Sequence, residues 1–529
     1  MASVFFASLL LSKLKLDLQL ISQVVHFEKL IKKTLRRWSS MGKSNLKTVM
    51  QLLLVVVIVG MGSLLARRPA HADDQSLNRV KQSGTLTVGT APDYPPFEFQ
   101  VNKGGNQEDV GMDIDIAKQI AKNLHVKLKI KNMSFESLLV AVQSGKIDMA
   151  IGGINPTPER KQNADFSKIY YSGGQDFLIN KNDAGQIKNK NSLRGKKVGT
   201  QTGTLQQSLA KKDIPNAHVV GMDKTPDLVL ALKTHKVAAV GVEKPVAQAY
   251  VANDHDLKAI DSGYKLNKND VGTAIAFKKG NTSLVNAVNQ SIDQIHKKNL
   301  IPQYLKDAGK HMKVNTNNTS MWHYWKYFAT GVEYTLIISV VSVFFGIILG
   351  IILVLMRLSK YKFLSWPSIA YTEFVRGTPM MVQVLFVYFG LGVLVNIPAL
   401  TAGIIAVSLN SGAYVSEIIR GGINAVDKGQ SEASRSLGLS KKDMMASVIL
   451  PQAFKNIWPA LGNEFITIIK DSSIVSIIGV TEIVYELNIV RADTYRGVAP
   501  IAVAMILYFI LSFSLSRVLN YFERRMNHD

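Results

Sequence analysis

Arg160 stands at the end of the run GGINPTPER at 152–160. Its planar guanidinium has the shape to hold a carboxylate through two parallel N–H bonds. Read alone, an arginine after Pro-Glu is more often a surface ion pair. Glu243 closes the apolar, strand-like run VAAVGVE at 237–243, where a carboxylate is ordinarily solvated. Leu205 and Gln206 open a helix after the Gly203 turn, and backbone N–H groups at such a helix start are natural partners for a carboxylate. Tyr94 and Phe135 offer flat apolar surface that tolerates charged neighbours. Phe135, close to Leu138 and Leu139, reads as core packing too.

Bond-breaking chemistry is poorly served. Asp93, Asp113, Asp115 and His125 invite a metal or carboxylate-pair reading. Asp113 and Asp115, however, are two apart at a helix start and cannot share a helical face; carboxylates there suit the dipole and the free amides. The chain has no G-x-S-x-G, no H-E-x-x-H and no G-x-x-x-x-G-K-S/T. Its best glycine run, GTQTGTLQQ at 199–207, lacks the lysine of a phosphate-binding loop. The cysteine count is zero, which excludes a disulfide-stapled fold, a cysteine zinc site, a cysteine nucleophile and a cysteine-linked lipid anchor.

The elements that must position these residues fall into three zones. The 529 residues are 47% hydrophobic and 19% charged, with a formal charge of +23. Nucleic-acid motifs are missing, so the placement of the charges decides what they mean. Residues 1–72 carry a long basic n-region, an apolar run at 49–65 and the triplet Ala70-His71-Ala72. That is a signal peptide or a signal anchor, with translation starting at Met1 or near Met41. Residues 73–312 alternate β-rich runs (TLTVGT, KLKIKN, KKVGTQ, VAAVGV) with helical stretches. In one of these, Ile114, Ala117, Ile120 and Ala121 share a face. After a polar linker at 313–327, apolar runs recur at 331–356, 379–395, 398–419, 457–480 and 498–516. About five membrane helices are expected. Basic clusters follow the first run (Arg357, Lys360, Lys362), the third (Arg420, Lys428, Arg435, Lys441, Lys442) and the fifth (Arg517, Arg524, Arg525). Putting them all in the cytoplasm leaves residues 73–312 outside and the tail, 523–529, inside.

The phrases LTVGTAPDYPPFEF (86–99), GMDIDIAKQIAKNL (111–124), SGKIDMAIGGINPTPERK (144–161), ADFSKIYY (164–171) and KKVGTQTGTLQQ (196–207) carry a specific likeness. Over about 84–307 the chain resembles the family 3 solute-binding proteins of bacteria, the polar amino-acid branch. The resemblance implies a two-lobed α/β, periplasmic-binding-protein-like (type II) domain. One lobe comes from about 84–177 and 273–307 and the other from about 181–270. It further implies that an amino-acid zwitterion is bound by Tyr94, Phe135, Gly153, Asn155, Arg160, Gln201, Leu205, Gln206 and Glu243. Arg160 would take the carboxylate and Glu243 the ammonium, with the ligand's stem between Tyr94 and Phe135. Asn155 replaces the family's usual Ser/Thr, which leaves only its backbone role secure. Gln201 stands where the family varies with specificity, and a neutral amide there favours glutamine, with asparagine or glutamate possible. A basic amino acid is the alternative, and a sensor or receptor a more distant one.

Residues 371–390 (YTEFVRGTPMMVQVLFVYFG) and 408–484 resemble the permease subunit of ATP-binding-cassette importers for polar amino acids, over about 328–522. Glu432, Ala433, Ser434 and Gly438, followed by Leu450-Pro451, match that family's coupling loop, with Ser434 in place of its usual second alanine. The resemblance implies an all-α transmembrane domain whose helix at 430–438 docks on a separate ATPase. Two copies of that ATPase, holding ATP and Mg, would serve two copies of this chain, which binds no cofactor itself. The charges of Glu464, Lys470 and Asp471 interrupt the fourth apolar run. At membrane depth such charges line a bundle interior or pair with one another. A multi-pass protein of the cell membrane, from a Gram-positive bacterium, is expected.

Overall fold

The computed structural model describes residues 74–103, 106–264, 272–312, 320–393, 395, 397–494 and 496–528. The expected signal or anchor segment (1–72) and residues 313–319 of the polar linker lie outside the described residues.

Residues 74–312 build two five-stranded sheets and a small antiparallel one. The strands run β1 (Thr85–Thr90), β2 (Asp93–Tyr94), β3 (Glu98–Lys103), β4 (Asn106–Val110), β5 (Lys127–Asn132), β6 (Met149–Ala150) and β7 (Ala164–Phe166). They continue as β8 (Gln175–Asn180), β9 (Lys197–Gln201), β10 (His218–Met222), β11 (Ala239–Glu243), β12 (Leu257–Asp261) and β13 (Ala276–Lys278). The first sheet has the order β5-β1-β6-β13-β7 and the second β10-β9-β11-β8-β12. The chain thus leaves the first sheet after β7 and returns to it at β13. Within each sheet the neighbours β5-β1-β6 and β10-β9-β11 are parallel, with register such as Leu86↔Leu128 and Gly199↔Val240. Parallel neighbours need a crossover, and helices supply it. These are α1 (Met112–Asn123), α2 (Phe135–Gln143), α3 (Leu205–Asp213) and α4 (Thr225–Lys233). The expected apolar face of α1 is buried: Ile114, Ala117 and Ile120 are fully enclosed and Ala121 nearly so.

The membrane domain is helical: α5 (Trp325–Arg357), α6 (Lys362–Arg376), α7 (Met380–Leu385), α8 (Ala399–Asn424), α9 (Lys428–Ser436), α10 (Leu450–Asp471), α11 (Ile483–Thr494) and α12 (Val498–His528). Of the five apolar runs read as spans, three form helices long and apolar enough to cross a bilayer alone: Met321–Arg357, Ala399–Asn424 and Val498–Arg525. The fourth joins Lys441–Ile478 to Ile483–Thr494 across a 55° bend. The second, interrupted by glycines, gives the shorter apolar helix Met380–Gly390. Among the described residues, three helices, or four with the bent pair counted as one, are thus long and apolar enough to span alone, with Met380–Gly390 as a further, shorter apolar helix.

Helices α5 and α8 form the central pair. A Cβ placed on Gly346 would meet Ser411 Oγ at 2.5 Å, and one on Gly350 would meet Val415 at 2.5 Å. Hydrocarbon provides no hydrophobic drive between helices, so this small-xxx-small approach and its dispersion contacts hold the pair together.

Candidate functional site

The two lobes meet at a narrow cavity of about 10 Å³, roughly the volume that admits one water. The first lobe supplies Ala91, Asp93, Tyr94, Glu98, Phe135, Gly152, Gly153 and Asn155. The second supplies Gln201, Thr204, Gln206 and Glu243. The cleft is closed, and a solute larger than water enters only when the lobes separate.

Glu243 is the last residue of β11 and lies 4% exposed. It caps the helix that starts at Lys244, whose second residue, Pro245, spends no N–H in the first turn. Tyr94 Oη donates to its carboxylate across the lobes. Burial pushes the Glu243 carboxyl up to about 8. Behind Tyr94, the Phe97 ring stacks at 5.7 Å. Gly153 also lies against the Tyr94 ring. It sits at φ +59°, and a Cβ there would press on the ring at 3.1 Å. Only glycine satisfies both demands.

Gly153 is held from below. Its N–H donates to Asp113 Oδ2 at 3.0 Å, and Tyr170 Oη donates to the same oxygen at 2.7 Å. Asp113 is fully buried, whereas Asp115, on another face of α1, reaches Lys118 at 3.5 Å. Burial raises Asp113 to about 6 despite those two donors. Glu98, also fully buried, is pushed well above its ordinary range by burial and by the neighbouring Asp113 and Asp93 carboxyls. Asp93 is likewise raised by burial, to about 6.

The amides turn away from the cavity centre. Asn155 Nδ2 donates to Gly272 O at 3.1 Å, Gln201 Nε2 to Asp223 O at 2.9 Å, and Gln206 Nε2 to Gln175 Oε1 at 2.9 Å. The N-cap of α3 is Thr204, whose Oγ1 accepts from Gln207 N. Thr204 rather than Leu205 presents the helix start to the cavity.

Arg160 lies beside the cavity and does not line it. Its Nη1 donates to Asn155 O at 2.9 Å and its Nη2 to Gly203 O at 2.8 Å, with the guanidinium carbon 5.4 Å from the Phe135 ring centre. One arginine thereby ties the two lobes together. In the closed cleft its guanidinium is engaged by these two carbonyls. Tyr94, Phe135, Gly153, Asn155, Gln201, Gln206 and Glu243 are gathered around the cavity; Arg160 and Leu205 stand outside it. Sequence reasoning passed over Glu98 and Thr204 and took Asp93 only as a hydrolytic candidate. The signal for Glu98 was misleading. In Phe97-Glu98-Phe99 alternation sends the carboxylate to the face opposite the rings, yet β3 runs between core and cleft and both faces are buried.

In the membrane domain, α9 begins at Lys428, two residues earlier than its motif indicates, with the Asp427 carboxylate accepting from Gly429 N at 2.7 Å. Gly438 N reaches Arg435 O at 2.9 Å and Leu439 N reaches Ser434 O at 3.1 Å, with Gly438 at φ +77°. This is a Schellman stop. Ser434 points inward, its hydroxyl on Gln430 O at 2.6 Å, while Glu432, Ala433 and Gly438 are exposed.

Fold and cleft define a solute-binding domain joined to a membrane permease. Residues 86–307 match the bacterial extracellular solute-binding proteins, family 3, and residues 342–528 match the binding-protein-dependent transport system inner membrane component. The chain belongs to these binding-protein-dependent transport systems and unites both parts in one polypeptide. Its permease part is 44% identical to the arginine transport system permease protein ArtQ of Bacillus subtilis, over 38% of this chain and 92% of the relative. It is 42% identical to a putative glutamine transport system permease protein GlnP of Rickettsia bellii, over 37% and 91%. The binding part is 31% identical to the L-cystine-binding protein TcyJ of Escherichia coli, over 47% and 90%.

Proposed function

We propose that the chain captures a polar amino acid outside the cell and passes it through a permease formed by two copies, driven by ATP hydrolysis on a separate ATPase that docks at α9. The observation that carries this reading is the composition of one interlobe cavity. A buried carboxylate on Glu243, the Tyr94 and Phe135 rings, and the Thr204-capped start of α3 surround it. That set complements an ammonium, an aliphatic stem and a carboxylate respectively. Arg160, at the rim, joins the carboxylate side once the lobes have parted and reclosed around a ligand. The names of the relatives, permeases for arginine and glutamine and a binding protein for cystine, point to the same substrate class.

Glutamine is the first candidate, on the neutral Gln201 in the cavity wall, at the position where the family varies with specificity. Asp93 and Glu98 favour a second reading, a basic amino acid, because both carboxyls line the same cavity. Calorimetric titration of the full chain in lipid nanodiscs with each of the twenty amino acids tests both. Saturable heat from glutamine supports the first reading and preference for arginine or lysine the second. No heat from any amino acid contradicts capture.

Capture carries a pH signature. An ammonium needs an ionised Glu243, and the closed cleft holds that carboxyl at about 8. Affinity is therefore expected to rise from pH 6 to pH 8, with proton release on binding at pH 7. Glu243→Gln should flatten the rise, and a wild-type affinity independent of pH in that window would count against the assignment. The closed, unliganded cleft has the opposite trend: its stability falls as pH climbs from the ordinary glutamate range towards 8, because Glu243 must ionise while buried.

Two copies are supported by α10. Asn463, Thr467 and Lys470 follow one another at helical spacing on one face, with Asn463 and Lys470 exposed and Glu464 beside them. Polar side chains at membrane depth turn from lipid towards a partner or a water-filled path. A second permease copy provides both. In this reading the binding domain is extracellular, and α9 and the C-terminus are cytoplasmic.

A further inference from the structure

Arg491 is a buried cation with unused donors. It lies in the last turn of α11, only 3% exposed, and pairs through Nη1 with Asp227 at 2.5 Å. Its Nε and Nη2 groups are enclosed and have no hydrogen-bond partner among the described residues. Donors buried and left unpaired are costly. Together, Nε and Nη2 form the guanidinium edge that holds two oxygens of one anion side by side.

Two cavities border Arg491, and their charges differ. The larger, of about 890 Å³, is also lined by Asp93, Glu136, Asp223 and Asp227, against Lys224 and Lys236. Those carboxylates oppose an anion there. The smaller, of about 380 Å³, has Arg491, Arg496 and Lys233 in its wall and no carboxylate among the described residues. Lys233 reaches Asp254, outside that wall, at 2.6 Å. The rest of the wall is largely apolar, with Val229 and Leu230 from α4 and Val498 and Ala499 from the start of α12. A Cβ on Gly497 would meet Leu230 at 2.5 Å, so α4 and the entry to α12 close tightly on one another.

The smaller cavity lies at the edge of the hydrocarbon layer. The last apolar span begins at Val498, and the turn Met321–Tyr324 packs beside it. Trp322 and Trp325 are both exposed there, and tryptophans so placed mark the depth of lipid headgroups. Below the cavity Val498, Ala502, Met505 and Phe509 are exposed at i, i+4, i+7 and i+11 along α12. They make one apolar stripe that starts at the cationic cavity and runs into the membrane.

We propose that this cavity binds the headgroup of an anionic phospholipid from the leaflet on the binding-domain side. The lipid phosphate sits on Nε and Nη2 of Arg491, and an acyl chain lies along the stripe from Val498 to Phe509. Charge and shape select that occupant. A free amino acid would bring its ammonium to a wall of three cations, and a soluble phosphate would leave the apolar stripe unused. A zwitterionic lipid would set its choline against Arg496 and Lys233, whereas the uncharged glycerol of phosphatidylglycerol meets no such repulsion. The site is independent of which solute the cleft captures.

Native mass spectrometry of the full chain, released from neutral detergent and titrated with equimolar phosphatidylglycerol and phosphatidylcholine, tests the site. The wild type should retain phosphatidylglycerol with at least about ten-fold higher affinity. Arg491→Lys keeps a cation for Asp227 but lacks the planar fork, and should lower that preference at least about five-fold. Val498→Asp, at an exposed position, sets a carboxylate at the mouth of the cavity and should lower it by a similar factor without touching Arg491. Should Arg491→Lys fail to fold, Val498→Asp still decides. Equal retention of the two lipids by the wild type, or an undiminished preference in either folded variant, overturns the proposal. Full displacement of the lipid by millimolar inorganic phosphate also overturns it, because the acyl stripe would then contribute nothing.

Discussion

Arg160→Ala and Glu243→Ala are each expected to weaken amino-acid binding by at least ten-fold, a loss of roughly 2–5 kcal/mol for a buried charge deprived of its partner. The two losses differ in origin. Glu243 is enclosed at the end of β11 and meets Tyr94 across the cleft, so its removal leaves a ligand ammonium without a counter-charge. Arg160 contributes twice, by attraction to a ligand carboxylate and by its bonds to Asn155 O and Gly203 O, which join the lobes. Arg160→Lys should therefore recover little, because one ammonium lacks the planar fork that reaches both carbonyls. Calorimetry on the full chain decides this. Wild-type affinity in both alanine variants would show that the ligand sits elsewhere.

The second large effect concerns energy coupling. Glu432→Lys reverses a charge on the exposed face of α9, and Gly438→Pro places a ring where φ is +77° and removes the N–H that reaches Arg435 O. Proline is locked near φ −65°, so the Schellman stop is lost and the exposed face is re-aimed. Amino-acid-stimulated ATP hydrolysis should collapse in both variants while amino-acid binding is retained. A variant that binds normally and still hydrolyses ATP at the wild-type stimulated rate would remove α9 from the coupling path.

Much of this arrangement was legible because it is local. The β-rich runs separated by helical stretches foretold sheets crossed by helices, since period and turn chemistry reside in neighbouring residues. Tyr94, Phe135, Gly153 and Glu243 could be singled out from short motifs. What escaped depends on distant backbone. Arg160 bonds to the carbonyl of Gly203, which no spacing around Pro158-Glu159 reveals. Glu98 hides between two phenylalanines because β3 is covered on both faces. The run 379–395 reads as a span by composition, and among the described residues its apolar helix is the shorter Met380–Gly390. The Arg491–Asp227 pair joins segments from the two separate domains, and nothing near either residue announces the other.

The most direct test of the account is uptake by proteoliposomes that hold the full chain, oriented with residues 74–312 outward, and its ATPase partner. With ATP inside, a labelled amino acid identified by calorimetry should accumulate against its gradient, and omission of either the ATPase or ATP should abolish accumulation. Concentrative uptake with no ATPase present, or no uptake with ligand, ATP and ATPase all supplied, would contradict it.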